Sequence, residues 1–490
     1  MINRLGKTGL CWVWAAVILL MPLTSLPLVG RLLGSAAVAA PSGVLLLVLV
    51  IGFLLPYTLR GGAYPRQSLP LFAFVIAALV SCAAAFFINF PPFKAASVAD
   101  NELEGFLTLA VGVCFYLVTA LWPRSEKDFS LALRLVNWAG LAILIWSGVQ
   151  LAAWYSLHRY PSWLRDLQDL ISLGPLYRQR PTGFTLEPSW LANQLNMLYL
   201  AYWLAASVRR SSAHRWRIWK FSFENLLLVG GVVLMVLSLS RVGQLGFFLM
   251  LAYLVVRANL RLSRWLEMRL STRAVHARRR WISAVILIGM VLIYLALLLG
   301  LAFGMSRLDP RMTSLFQFDL QHENPFLHYA NQLLFAARVV YWQTGWEVFN
   351  DHPILGVGLG NAGYYFPEKM SGFGWGLMEV RKLIFRQPGL PNTKSLWMRL
   401  LAETGVVGFA FFVCWLLLCW WSASRLEKVD NPLYKTIALM AQLVILGLLL
   451  EGFSLDTFAL PYLWFSLGLV TAAVFRLPAP APSAWEENDE

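Results

Sequence analysis

The residues best placed to do chemistry in this sequence are arginines in unusual settings. Arg180 stands in Arg180-Pro181-Thr182-Gly183-Phe184, shortly before Glu187 and Pro188 open an apolar run. Arg241 follows Ser240 in a very tight turn between two apolar stretches, and an arginine held in such a hairpin more often faces a cavity or a partner than it snorkels. Arg338 precedes Trp342 by one helical turn, an arrangement that also suits a plain cation–π pair. Guanidinium groups grip phosphate oxygens two at a time, so these residues point to an anionic substrate such as a phosphate or diphosphate. Loop solubility and contact with lipid headgroups are the simpler reading of the same charges.

Other groups carry two readings each. Glu187 at the start of a helix is favoured by the helix dipole alone, and it is equally a candidate base. Glu403 lies inside an apolar span one turn from Arg399, which makes it a functional candidate or one half of an i,i+4 ion pair. In His352-Pro353-Ile354-Leu355-Gly356-Val357-Gly358-Leu359-Gly360-Asn361, the glycines at 358, 360 and 363 satisfy G-x-G-x-x-G. A dinucleotide site is excluded because no βαβ unit surrounds them. A turn that offers backbone N–H groups to a phosphate, and a plain tight turn, both stay open.

The elements that must position these residues are membrane helices. Hydrophobic residues make up 58% of the 490 residues and charged ones only 13%, with a mean hydropathy of +0.61. The apolar residues fall in blocks of roughly 20, the length that crosses a bilayer, and about twelve such blocks are legible. They lie near 10–32, 43–60, 70–89, 105–122, 135–155, 189–207, 224–238, 242–256, 281–304, 397–421, 434–451 and 456–475. The net charge of +14 would suggest nucleic acid in a soluble protein, but here the basic residues track alternate loops. Arg60 and Arg66, Arg124 to Arg134, Arg209 to Lys220, Arg257 to Arg280, and Arg425 to Lys435 mark one side, which the positive-inside rule makes cytoplasmic together with both termini. The other side has two long loops, 156–188 and 305–396, which hold twelve basic residues, Lys394 among them.

This divides the chain into helices one to nine over 1–304, a large outer loop over 305–396, helices ten to twelve over 397–476, and a disordered cytoplasmic tail over 477–490. Within the loop, 331–349 has apolar positions at helical spacing and predicts a helix lying in the membrane interface, its tryptophans at headgroup level. The five cysteines all fall within spans and read as small apolar core residues. No HExxH, G-x-S-x-G or Walker sequence occurs, and the outer acids are scattered, so no metal site is expected.

Arg180-x-x-Gly183 before a span, the Ser240-Arg241 hairpin, Arg338 with Trp342, His352 to Gly358, and Leu401-Ala402-Glu403-Thr404-Gly405 follow in this order around a large outer loop. In that order they resemble the O-antigen ligase and O-antigen polymerase superfamily of bacterial inner-membrane glycosyltransferases. The resemblance implies an all-α, polytopic, GT-C-like membrane fold. It also implies transfer of a glycan from undecaprenyl diphosphate to an acceptor hydroxyl at the periplasmic face, with no cofactor, nucleotide sugar or metal. Arg180, Arg241 and Arg338 would bind the diphosphate, and Trp342, His352 and Asn392 would line the substrate site. The family's histidine, shortly before the Leu-Ala-Glu-Thr-Gly element, is replaced here by Lys394 in Pro391-Asn392-Thr393-Lys394-Ser395. A lysine is a base only where burial and neighbouring cations lower its pKa; otherwise it is a fixed cation, and Glu187, Glu403 or His352 must handle the proton.

The partners implied are the lipid-linked glycan, a glycan or lipid A core acceptor, the bilayer and a chain-length regulator, with no nucleic acid. Phe184-Thr185-Leu186-Glu187-Pro188-Ser189 is similar to exopolysaccharide polymerases, which favours a polymerase over a ligase. A flippase or exporter is the competing class, but its expected paired halves are not visible. A scaffold subunit would not need the outer arginines.

Overall fold

The structure, a computed structural model, describes residues 2–33, 40–270, 335–387 and 389–477, with a few positions between 288 and 300. Most of the ninth expected span, the first part of the large loop and the acidic tail lie outside the described residues.

The chain is a mostly helical membrane protein. In order come α1 (Ile2–Leu20), α2 (Pro27–Leu33), α3 (Pro41–Leu59), α4 (Leu69–Ala85), α5 (Val98–Leu121), α6 (Glu126–Leu157) and α7 (Ser162–Ile171). Then α8 (Pro188–Gln194) runs through a π-turn at Leu195–Tyr199 into α9 (Leu200–Arg209). A two-residue-per-strand hairpin, Arg217–Ile218 with Phe221–Ser222, leads to α10 (Phe223–Leu237) and α11 (Arg241–Leu270). The loop segment contributes α12 (Ala336–Asp351) and α13 (Met378–Phe385), and the chain closes with α14 (Leu396–Leu426), α15 (Pro432–Glu451) and α16 (Pro461–Phe475).

Among the described residues, seven helices are long and apolar enough to cross a bilayer, and Thr8–Leu20, Phe223–Leu237 and Pro461–Phe475 are shorter apolar helices. The first span differs from expectation: the helix stops at Leu20 instead of reaching residue 32. Pro22 and Pro27 lack the amide hydrogens a continuing helix would use. The carbonyls left over there are satisfied from inside the bundle, Met21 O by the Tyr462 hydroxyl at 3.1 Å and Pro22 O by Gln194 Nε2 at 3.2 Å.

The centre of the bundle is built from α8–α9, α14, α15 and α16, with α5 against α16 and α4 against α14. Lipid offers no hydrophobic drive between helices, so contact depends on shape and small residues. Gly112 of α5 shows this: a β-carbon there would sit 2.4 Å from the Trp464 ring of α16. At one end of the bundle Glu427 is flanked by Arg209 and Arg257. The other end carries α12, α13 and the joints 180–188, 238–241, 392–396 and 451–456.

Helix α12, Ala336–Asp351, overlaps most of the 331–349 stretch, but it does not lie free in an interface. Val340 and Tyr341 are buried against Phe366, Met370, Val380, Leu383 and Ile384, so its apolar side faces a small core of the loop's own. Only Trp346 of its two tryptophans is exposed; Trp342 is half-buried.

Candidate active site at the loop end of the bundle

Gln150 of α6 fixes the loop that bears Arg180. Its side-chain oxygen accepts from the amides of Thr182 and Gly183, each at 3.0 Å, and its nitrogen donates to Gly183 O at 3.1 Å. Arg180 is thereby turned to the C-terminus of α10, where its Nε donates to Ser238 O at 3.0 Å. A helix end leaves its last carbonyls without partners and favours a cation. Glu187 is the residue capping α8; its carboxylate accepts from the Ser189 hydroxyl at 2.7 Å. Tyr177 lies within the fields of both groups: burial raises its pKa, Glu187 raises it further and Arg180 lowers it.

The turn between α10 and α11 is three residues, Ser238 to Ser240, and Arg241 opens α11. The turn is pressed onto α8, where a β-carbon at Gly243 would meet Ala192 Cβ at 2.5 Å. Asn196 spends both hydrogens of its amide here: one goes to Gly243 O at 2.7 Å, the other to Glu451 Oε1 at 2.7 Å. Arg338 on α12 donates to Ser454 Oγ at 2.9 Å and Ser454 O at 3.2 Å, three residues beyond Glu451. Its charge reaches the Glu451 carboxylate. A continuous set of contacts therefore runs from Arg180 through the Arg241 hairpin and Asn196 to Glu451 and Arg338.

Trp342 lies against Phe335 and Phe453, each at 5.1 Å, rather than under the Arg338 guanidinium, and its indole N–H is buried without a partner. Asn392 Oδ1 is likewise buried and unpartnered. Lys394 has a left-handed backbone, φ 51°, and bonds or ion-pairs with no described residue. Its neighbours are tightly held: Thr393 meets Gly345 of α12, and Ser395 caps α14 and donates to Gly452 O at 3.0 Å. This joint thus presents an amine, an amide oxygen and an indole N–H that the fold leaves unused. Buried polar atoms without partners are costly, which singles the joint out as a place for a ligand.

The glycine-rich turn is a fastening, not an anion nest. Val357 N donates to Ala402 O and Gly358 N to Glu403 O, each at 3.0 Å, while Gly356 N turns back to His352 O. Val406 N and Val407 N donate the other way, to Pro353 O and Ile354 O. These exchanges are possible because α14 breaks at Gly405 (φ 61°, ψ −169°) and frees both sets of groups. The phosphate-cradling alternative is therefore set aside, since these amides are already occupied. Glu403 sits at the break, 3% exposed, accepting from Arg399 Nε at 2.8 Å and from the Gly360 amide. Arg399 in turn donates to Asp456 O at 2.7 Å.

His352 ends α12 with its Nε2 3.2 Å from the Tyr365 hydroxyl. Burial pushes its pKa below the ordinary 6.5, Lys369 adds to the fall and Asp351 opposes it. As pH drops through 6.5 the unfolded chain takes this proton before the folded one does, so stability contributed by the neutral ring is present above that pH and lost on acidification. Thermal melts of His352→Gln should show a flatter decline with acid than wild type; an unchanged slope would exclude His352 as the source.

Residues 226–413 match a family model described as O-antigen ligase. The chain carries an O-antigen ligase domain. The match begins in α10 and ends in α14, past the helix break, so it takes in Arg241, Arg338, Trp342, His352, Asn392, Lys394 and Glu403. The match covers less than half of the chain and supports a likeness to the O-antigen ligase and polymerase superfamily. Arg180, Glu187 and Glu451 lie outside the domain match; Arg180 reaches it through Ser238, and Glu451 through Asn196 and Gly243. No curated protein matches the chain. Sequence reasoning passed over Gln150, Asn193, Asn196 and Glu451. A signal existed: Asn193 and Asn196 are amides one turn apart in an apolar run, and Glu451 is the only acid in its span.

Proposed function

We propose that this chain is a polysaccharide polymerase: it moves an oligosaccharide from undecaprenyl diphosphate onto the end of another glycan at the periplasmic face of the inner membrane, without metal. The observation that carries the reading is the convergence of Arg180, Arg241 and Arg338 on one end of an O-antigen ligase domain, beside a joint of unused polar groups at 392–394. Breaking the glycosyl–phosphate bond leaves charge on a diphosphate, and preorganised guanidinium groups stabilise that charge where it develops. Lys394, with no carboxylate to answer it among the described residues, serves as a further fixed cation. Trp342, Asn392 and His352 border the acceptor's side, and Glu403 acts as a strut through Arg399.

The test is the purified chain in liposomes with undecaprenyl-diphosphate-linked oligosaccharide, given neither nucleotide sugar nor divalent metal. The expected product is a ladder of longer lipid-linked glycans. Donor consumed only when lipid A core is added would make the chain a ligase, and movement of donor between leaflets without a product would make it a transporter. In the same assay Lys394→Ala should slow turnover about 100-fold, the usual scale for one lost transition-state donor. Full activity in that variant would remove Lys394 from the site.

A further inference from the structure

The acceptor hydroxyl must lose a proton, and among the described residues three buried glutamates stand at this end of the bundle; Glu102 lies directly under the glycine-rich turn, accepting from Asn361 Nδ2 at 3.0 Å. Glu403 would leave Arg399 unpaired if it were protonated. Glu451, the last residue of α15, differs from Glu403. It is 1% exposed, and its oxygens meet only neutral amides, Asn196 at 2.7 Å and Asn193 at 3.5 Å. Among the described residues no ion pair reaches it, so it can change protonation without orphaning a partner.

The groups facing Glu451 are few. The α12 side brings the Arg338 charge. Helix α11, headed by Arg241, brings Gly246, whose β-carbon would lie 3.6 Å from Glu451 Cγ. The helices α14 and α16 bring Leu396, Leu463 and Trp464, which do not titrate. With Asn193, Thr457 and the Trp464 indole, the other polar side chains among the described residues, Glu451 also lines a cavity of about 40 Å³. That is space for about two or three water molecules, and too little for a sugar.

We propose that Glu451 is the proton acceptor of the transfer reaction, reached through water in this cavity and held in place by Asn193 and Asn196. The inference rests on the transferase reading above. In the step, the acceptor O–H bond breaks and its oxygen forms a bond to the anomeric carbon. The bond from that carbon to the diphosphate oxygen breaks, and its electron pair leaves on the diphosphate beside the arginines. The proton passes through water to the Glu451 carboxylate, which later returns it to solvent.

Two measurements on the full chain in liposomes test this. In the turnover assay, Glu451→Gln should lower kcat about 100-fold with KM for the donor little changed, Glu451→Asp should recover part of the loss, and the acid limb of the pH–rate profile should vanish in Glu451→Gln. Infrared difference spectra across a pH titration should show one buried carboxyl band that Glu451→Gln removes. Normal kcat in folded Glu451→Gln overturns the proposal, as does the absence of a Glu451-dependent band. If the wild type turns over no donor, the transferase reading falls, and the infrared result still decides: a titrating band supports proton exchange at Glu451, and its absence overturns it.

Discussion

Arg241→Ala should abolish polymer formation while leaving the chain inserted and folded, with turnover down by about 100- to 1,000-fold. The residue stands at the head of α11, half-buried, on a turn of three residues clamped by Asn196 and by contact with Ala192. Those two clamps use the backbone and the glycine, not the guanidinium, so the truncation leaves both of them in place. Arg241→Lys separates charge from shape: it keeps the cation and loses the forked donor, and should recover only part of the rate. Single-turnover assays on lipid-linked donor would show it. Normal activity in Arg241→Ala would sink the diphosphate role.

Much of this end of the molecule was legible beforehand. Arg241 announced itself because a charge in a turn between two apolar stretches is expensive, and the Arg399–Glu403 pair followed from helical spacing. The helix over the 331–349 segment was readable for the same reason. Its burial was not, because the partners at Phe366, Val380 and Leu383 are distant in sequence and carry no pattern of their own. The glycine-rich turn stayed open between an anion site and a plain tight turn for a related reason: periodicity shows that backbone amides are available, never what takes them. Glu451 was hidden by position. At the end of an apolar span an acid reads as a boundary marker, and only the fold reveals that it turns inward to two asparagines.

The second large effect is expected at Gly405. Its φ of 61° with ψ of −169° belongs to a region that only glycine enters at ease, and a β-carbon there would sit 2.2 Å from Ile354 O. Gly405→Ala should therefore straighten or rupture the joint between α14 and the 353–358 turn, at a cost of about 1–3 kcal/mol in strain before the clash is counted. Thermal scanning in detergent should report a clearly lower transition, with turnover lost in parallel. Gly372, which has open space around it, is the control: Gly372→Ala should do neither. A Gly405→Ala protein as stable and active as wild type would mean that the helix break is incidental.

The Ser395–Gly452 and Arg338–Ser454 contacts also bear on how the molecule is made. Synthesis runs from the N-terminus, so Arg338 and the 353–358 turn leave the ribosome before the residues of α14 and the 451–456 joint that secure them. Arg338 has no seat until Ser454 arrives, and the 353–358 turn has nowhere to dock until α14 has entered the bilayer. A nascent chain is therefore inert for most of its synthesis. Assembly of the site coincides with completion of the bundle, so the loop end is put together only when the last helices are in place.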